Sequence, residues 1–238
     1  MKNIVITGGN KGLGIEQVRR FLEAGCRVHV VSRSRGDLDQ VDGDVVFHQA
    51  DLANWSDTGW LDAIHVDCGH IDGLVNNAGM HLKKPMWEVA PDELDTVLNI
   101  NVKAMFAACG RLVALQKDRG GAIVNISSMG GLMALQTAAA YVTAKTAVLG
   151  ITRSLAVDAA PFGFRCNAVC PGFIETDMTR AILAKDPARR AKIEGRIPSG
   201  KFGSARNVAE AVHFLISPAS TYINGVALPV DDGFSIGF

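Results

Sequence analysis

No excess of either charge marks this chain: Lys plus Arg and Asp plus Glu both total 24 among its 238 residues. That balance gives no basic excess that would argue for nucleic acid and no acidic excess that would argue for a tail, so neither kind of partner is expected, although a local basic patch is compatible with it. Long apolar runs are missing as well. No stretch approaches the roughly 18 consecutive apolar residues of a membrane span. Ile4-Val-Ile6 is too short for the apolar core of a signal peptide and runs straight into a turn, so no targeting segment is expected. The cysteines, Cys26, Cys68, Cys109, Cys166 and Cys170, are odd in number and contain no C-x-x-C pair. Such usage argues against a disulfide framework and for reduced thiols in the cytoplasm. Zinc spacing is also absent. His65, Asp67, Cys68 and His70 crowd together, as do Cys166 and Cys170, without a second ligand pair, so no metal is expected. No linker, repeat or low-complexity segment interrupts the chain, which is read as one domain over 1–238.

What is present is alternation. With 48% hydrophobic residues, a sizeable core can be buried. Strand-like runs at Asn3–Thr7, Arg27–Val31, Val45–His48, Gly73–Asn76, Ala122–Ile126, Phe164–Val169 and Val226–Val230 are rich in Val and Ile. Between them lie helical patterns at Leu13–Ala24, Trp55–Val66, Asp92–Gln116, Ala138–Ala159 and Asn207–Ile216. Such alternation implies an α/β fold of the doubly wound type, with parallel strands, right-handed crossovers and helices on both faces. The charged segment 175–203 lacks clear strand signals and is expected to form a lid.

Gly8, Gly12 and Gly14 lie between the first strand and the first helix, in Thr7-Gly-Gly-Asn-Lys-Gly-Leu-Gly14. A turn there needs residues without Cβ, and the helix behind it presents free N–H groups to a pyrophosphate. The end of the second strand selects the cofactor. A preference for the non-phosphorylated dinucleotide usually places an acid there to bind the ribose hydroxyls. Here the order is Val31-Ser32-Arg33-Ser34-Arg35, with no acid until Asp37. Lys11 and Arg33 bracket a site for a 2′-phosphate, which points to NADP(H) over NAD(H).

Tyr141 and Lys145 stand four residues apart in a helical stretch and so share a face. A free tyrosine, with a pKa of about 10, is a poor base near neutrality. A lysine ammonium one turn away favours the phenolate. Ser128, 13 residues upstream, ends a strand where ligands bind in open parallel sheets, and its hydroxyl suits a substrate oxygen.

These features occur in one order with further elements: Thr7-Gly8-x-x-x-Gly12-x-Gly14, Asp51-Leu52, Asn76-Asn-Ala-Gly79, Asn101, Ser128, Tyr141-x-x-x-Lys145, and Pro171-Gly172 followed by Thr176. On them the chain resembles the classical short-chain dehydrogenase/reductase family over essentially its whole length. The resemblance implies a Rossmann-type domain with a seven-stranded sheet in the order 3-2-1-4-5-6-7, and a homotetramer packed through helix 92–116 and the helix bearing Tyr141. It implies Tyr141 as general acid/base, Lys145 as the residue that lowers its pKa and binds the nicotinamide ribose, and Ser128 as the orienter of the carbonyl. Asn101 would hold a proton-relaying water. The implied cofactor contacts are Gly8, Asn10, Lys11, Gly12, Leu13, Gly14, Ser32, Arg33, Asp51, Leu52, Asn77, Ala78, Gly79, Pro171 and Gly172, with Ile174 and Thr176 at the carboxamide. Asp232 stands where many members have glycine.

The expected activity is interconversion of a carbonyl and a secondary alcohol with NADP(H), of the 3-oxoacyl-thioester or ketone reductase type. Oxidation of a sugar, polyol or cyclic alcohol with NAD(H) is the alternative enzyme reading, and a non-catalytic dinucleotide sensor the alternative from another class. The loop 129–137 should line the substrate pocket through Met133 and Gln136, with Met80, His81 and Phe173 near its mouth. It is mostly apolar and uncharged, which disfavours a highly charged small substrate.

Overall fold

The computed structural model describes residues 1–176, 179 and 186–237. Its frame is one parallel sheet built from β1 (Asn3–Thr7), β2 (Arg27–Ser32), β3 (Val45–Gln49), β4 (Gly73–Asn76), β5 (Gly121–Ile126), β6 (Phe164–Pro171) and β9 (Ala227–Val230). Their order is β3-β2-β1-β4-β5-β6-β9, every neighbouring pair parallel. This is the expected seven-strand order. The last strand is the ninth in the chain because two two-residue strands, β7 (Ile174–Glu175) and β8 (Gly203–Ser204), pair beside the sheet.

The central strands are apolar on both sides because helices cover both faces. On one face, α1 (Leu13–Glu23) and α7 (Ala205–Ile216) bury Val18, Phe21, Val208, Val212 and Leu215 against Ile4, Ile6, Val28 and Val124. On the other, α2 (Gly59–Cys68), α4 (Ala104–Leu115) and α5 (Ala139–Asp158) bury Leu61, Ile64, Met105, Leu112 and Val148 against Val5, Leu74 and Ile123. The run Pro91–Leu115 is long and apolar enough to cross a membrane by length and composition alone. Its buried side chains, including Val97, Ala108, Cys109 and Leu112, pack as those of a core helix do.

The strand ends that carry the site are tied by buried polar groups. Asn76 on β4 donates to Asn125 Oδ1 on β5 (2.8 Å), and Asn125 donates to Thr152 Oγ1 on α5 (3.0 Å). Such bonds contribute about 1 kcal/mol each on balance, but leaving one partner buried and unpaired costs more.

Local structure departs from the sequence pattern in four places. The second helix begins at Gly59 rather than Trp55, because Asp57 accepts the Gly59 N–H (3.0 Å) and holds the preceding residues in turns. The long helix expected over 92–116 is interrupted: α3 (Pro91–Leu98) passes through a π-helical turn, Asn99–Lys103, into α4. The last helix starts at Ala205, because Ser204 and Asn207 cap it reciprocally. Within the expected lid, β7, β8 and helix α6 (Pro187–Glu194) are ordered elements. Lid residues 177, 178 and 180–185 lie outside the described residues.

Candidate active site

The glycine turn is built for close approach. Gly8 and Gly12 have φ of +64° and +57°, in the left-handed region that disfavours a side chain. A Cβ at Gly14 would collide with Gly8 O, and one at Gly8 would lie 3.0 Å from Ala78 Cα. The first and fourth strand ends are therefore packed backbone to backbone. Asn77 fastens them: its Nδ2 donates to Thr7 O and Gly8 O (both 3.1 Å), and its Oδ1 accepts from Gln17 Nε2 (3.1 Å). Thr7 Oγ1 accepts the N–H groups of Asn77 (3.0 Å) and Ala78 (3.1 Å). The Asn77 amide is thus committed to bracing the turn. The sequence reading gave Thr7 no role, although its place in the motif was a usable signal.

Lys11 in the glycine turn and Arg33 just after β2 are both exposed. Asn10 is buried, and its Nδ2 donates to Ser34 O (3.0 Å). Ser32 differs from expectation. Its hydroxyl donates to Ser34 O (2.7 Å), so its proton is committed within the turn. Leu13 opens α1 half-buried. Asp51 is exposed after β3, with Oδ1 accepting the Ala53 N–H (3.0 Å), and Leu52 lines a small cavity with Thr7, Trp60, Asn76 and Ala78.

Ser128, Tyr141, Lys145 and Asn101 converge at the carboxyl ends of β4 and β5. Ser128 leaves β5 and accepts the Gly130 N–H (3.0 Å) within a short turn. Lys145 is 4% exposed; Nζ donates to Ile126 O (2.9 Å) and lies 5.7 Å from the Tyr141 ring centre. Burial lowers its pKa to about 8. In the protein alone, burial raises the pKa of the Tyr141 phenol and the Ser128 hydroxyl pulls it back.

Asn101 is completely buried in the π-helical turn. Its Nδ2 donates to Met80 O and Val97 O (both 3.0 Å), and its Oδ1 accepts the Met80 N–H (3.2 Å). Both amide protons are therefore in use, and one Oδ1 lone pair is left. A Cβ on Gly79 would lie 2.7 Å from Asn101 Oδ1 and 3.3 Å from Lys145 Nζ, so this glycine keeps the space between them clear.

The residues expected at the substrate divide. His81 lies against Tyr141, ring centres 4.4 Å apart. Gln136 is exposed on the pocket loop, next to Thr137 at φ +57°. Met133 and Phe173 join an apolar cluster with Met129, Ile193, Ile197, Phe202 and Phe234. Met80 instead packs with Val97, Ala140 and Ala144 under α5, so its side chain serves the core rather than the mouth. Phe234, unforeseen from sequence, sits 5.0 Å from Phe173 ring to ring. Pro171 is buried, and a Cβ on Gly172 would lie 2.5 Å from Asp231 Cβ, so that glycine lets the ends of β6 and β9 meet. Ile174 is buried, and Thr176 Oγ1 accepts the Thr179 N–H (3.2 Å).

Known proteins match the chain in sequence and in fold. The family model described as enoyl-(acyl carrier protein) reductase matches residues 8–235. The 2-(R)-hydroxypropyl-CoM dehydrogenase of Xanthobacter autotrophicus is 38% identical over 97% of each chain. A 3-oxoacyl-[acyl-carrier-protein] reductase of Vibrio harveyi is 33% identical, covering 98% of this chain and 96% of its own. The solved gluconate 5-dehydrogenase of Burkholderia cenocepacia, in complex with NADP and tartrate, superposes with a TM-score of 0.92 at 28% identity, covering 100% of this chain and 96% of that one. The chain belongs to the short-chain dehydrogenase/reductase family and is an oxidoreductase acting between alcohol and carbonyl with a nicotinamide cofactor.

Proposed function

We propose that the protein reduces a ketone with NADPH, in the manner of a 3-oxoacyl-thioester or ketone reductase, with Tyr141 as the proton donor. The observation that carries this reading is the convergence of Tyr141, Ser128 and buried Lys145 beside a glycine cradle that side chains would fill. Gly8, Gly12, Gly14 and the α1 amino terminus would hold the pyrophosphate, Lys11 and Arg33 the 2′-phosphate, and Ile174 and Thr176 the carboxamide. When bound, the dihydronicotinamide supplies a hydride to the carbonyl carbon. Tyr141 gives its phenolic proton to the carbonyl oxygen, and its raised pKa keeps that proton in place until it is needed. Ser128 donates to the same oxygen. With a pKa of about 8, Lys145 is mostly an ammonium at neutral pH, suited to hold the cofactor ribose and to return a proton to Tyr141. The space kept by Gly79 between Asn101 and Lys145 suits a water in that return path. The segment 175–203, with Ile193 and Ile197 packed beside Met129, would close over the substrate.

NADPH oxidation with a panel of ketones tests the activity. Arg33→Ala should weaken NADPH binding tenfold or more, since a charged contact to phosphate contributes about 1.5–3 kcal/mol, and should leave NADH binding nearly unchanged. Equal losses for both cofactors would show that Arg33 does not read the phosphate. Gluconate 5-dehydrogenase among the structural neighbours favours a second reading, oxidation of a polyol or sugar derivative. The alcohol panel with NAD and NADP separates the two.

The same reading includes a homotetramer in the cytoplasm. Phe106 on α4 is 65% exposed, and Gly110 and Gly150 face open space, as an apolar helix face awaiting a partner would. Ala144, on the helix bearing Tyr141, packs inside the chain against Val97. The five cysteines are all free, in keeping with a reducing compartment. Sedimentation showing a monomer at micromolar concentration would overturn the tetramer.

A further inference from the structure

Gly130 and Gly131 follow Ser128 in one short turn, and neither has the positive φ that favours glycine. A Cβ on Gly131 would lie 2.5 Å from Ser127 Oγ and 2.7 Å from Lys145 O, so the seating of the turn on α5 requires that glycine. Gly130 is different. The atoms nearest to a Cβ there are all on side chains: Leu135 Cδ1 at 3.1 Å, Tyr141 Cε1 at 3.4 Å and Ser128 Oγ at 3.5 Å. Carbon atoms in ordinary contact lie about 3.5–4.0 Å apart, so this point is close to methyl-sized and Leu135 is the neighbour that would have to give. Leu135 is itself held from both sides. Before it, the Met133 N–H returns to Met129 O (2.9 Å); after it, Ala138 forms a parallel bridge with Lys84. Its side chain packs on the apolar cluster of Met129, Ile193 and Phe234.

We propose that Gly130 and Leu135 determine the substrate: the bare Cα of Gly130 leaves the point between Ser128, Tyr141 and Leu135 to a hydrocarbon group on the carbonyl carbon. The inference rests on the carbonyl chemistry proposed above and names its substrate class, an apolar ketone, alkyl or cyclic, rather than a sugar or polyol derivative. A carbonyl oxygen bonded to both hydroxyls lies about 2.7 Å from each, so a substituent on its carbon comes within reach of that point. A methyl or methylene there meets a leucine methyl and the edge of a ring. A hydroxyl there would be taken from water and left against the same two groups, and an unpaired buried polar group is costly. Of the loop 129–137, it is Leu135, between the expected Met133 and Gln136, whose side chain shares a point with both catalytic hydroxyl-bearing residues.

The test uses four ketones with NADPH: acetone, cyclohexanone, and the matched pair 3-pentanone and 1,3-dihydroxyacetone, which differ in methyl against hydroxyl. In the parent, kcat/KM for 3-pentanone should exceed that for dihydroxyacetone at least tenfold. Gly130→Ala places a methyl at the disputed point, and one methyl in an apolar pocket changes selectivity about 10- to 200-fold. The ratio of kcat/KM for cyclohexanone over acetone should therefore fall at least tenfold in that variant. Adding Leu135→Ala to it should restore the ratio at least threefold, because the two side chains compete for one space. Rescue by trimming Leu135 is not expected if Gly130 serves only to orient Ser128 through its N–H. Should Gly130→Ala fail to fold, judged by lost NADPH binding, Leu135→Ala alone decides: it should cut the preference for 3-pentanone over dihydroxyacetone at least tenfold. Dihydroxyacetone reduced as well as 3-pentanone, a smaller fall in either ratio, or no rescue would overturn the inference and leave the carbonyl chemistry standing. Failure to reduce any of the four would sink both.

Discussion

At the scale of single residues, the site works through who holds which proton. Tyr141 keeps its proton because burial raises its pKa, and Lys145 sits poised near 8. Replacing Tyr141 with Phe removes only the hydroxyl. Turnover should fall by about a hundred- to ten-thousandfold, the usual worth of acid/base assistance, with NADPH binding largely retained. Stopped-flow reduction and fluorescence titration measure the two separately; more than a tenth of wild-type turnover would disqualify Tyr141 as the donor. Gly79 allows a second prediction. Ala there would push a methyl to 2.7 Å from Asn101 Oδ1, so Asn101 must move and Met80 with it. Overpacking of this kind costs about 1–3 kcal/mol. A lowered urea midpoint together with lost turnover is expected, and a variant with wild-type kcat would show that this space is not used. Tyr141, Lys145 and Ser128 were legible in the sequence because their spacing is local or ends a strand. The Asn77 amide was not. Its commitment to Thr7 and Gly8 depends on two strand ends about 70 positions apart meeting in space. Spacing alone does not say whether such an amide faces a ligand or a backbone.

Among the elements, the strands and most helices could be read from Val- and Ile-rich runs and glycine punctuation, which are local signals. The π-helical turn Asn99–Lys103 could not, because one extra residue in a helical turn leaves the apolar pattern almost intact. Yet that turn is what swings Asn101 onto Met80. The carboxyl-terminal turn shows the same limit. Asp232 adopts φ +51° and accepts the Ser199 N–H (3.0 Å), while Asp231 accepts from Gly233 and Ser235. These bonds tie the chain end to the segment after α6, and Phe234 completes the cluster, with Arg196 Cζ 4.7 Å from its ring. Phe234→Ala should therefore loosen α6 more than it unfolds the sheet. Buried Phe-to-Ala changes cost about 3–5 kcal/mol, here confined to a satellite cluster away from the two sheet faces. KM for the ketone should rise, and limited proteolysis should cut near α6 sooner, with little change in NADPH affinity. Unaltered proteolysis would show that Phe234 does not support that helix.

For the molecule as a whole, the weak point under acid lies at the β2–β3 edge of the sheet. His29 is completely buried, and its Nδ1 lies 3.1 Å from His48 Nε2, so only one proton fits between the rings. Its other nitrogen has no partner among the described residues. Burial, the adjacent His48 and Arg27 all oppose a second proton, Asp67 on α2 and Asp44 before β3 favour it, and the balance lowers the His29 pKa to about 4. The unfolded chain has no such constraint and takes up that proton near pH 6.5. Between those values the unfolded state binds more protons than the folded one, so stability falls as pH drops. The contribution is intact above about 6.5 and is lost progressively on the way to 4, a loss on the order of 2–3 kcal/mol. The salt-bridged carboxylates Glu93 and Asp62 have their pKa values lowered by Lys84 and Arg111. Urea midpoints taken at pH 7.5 and 4.5 span the range in which the histidines take up protons. His70, His81 and His213 share the same direction of shift, so the decisive comparison is with His29→Leu. That variant should retain most of its pH 7.5 stability at pH 4.5, whereas the parent should lose a substantial part. Parallel losses in the two proteins would move the acid sensitivity away from this pair and onto the other histidines.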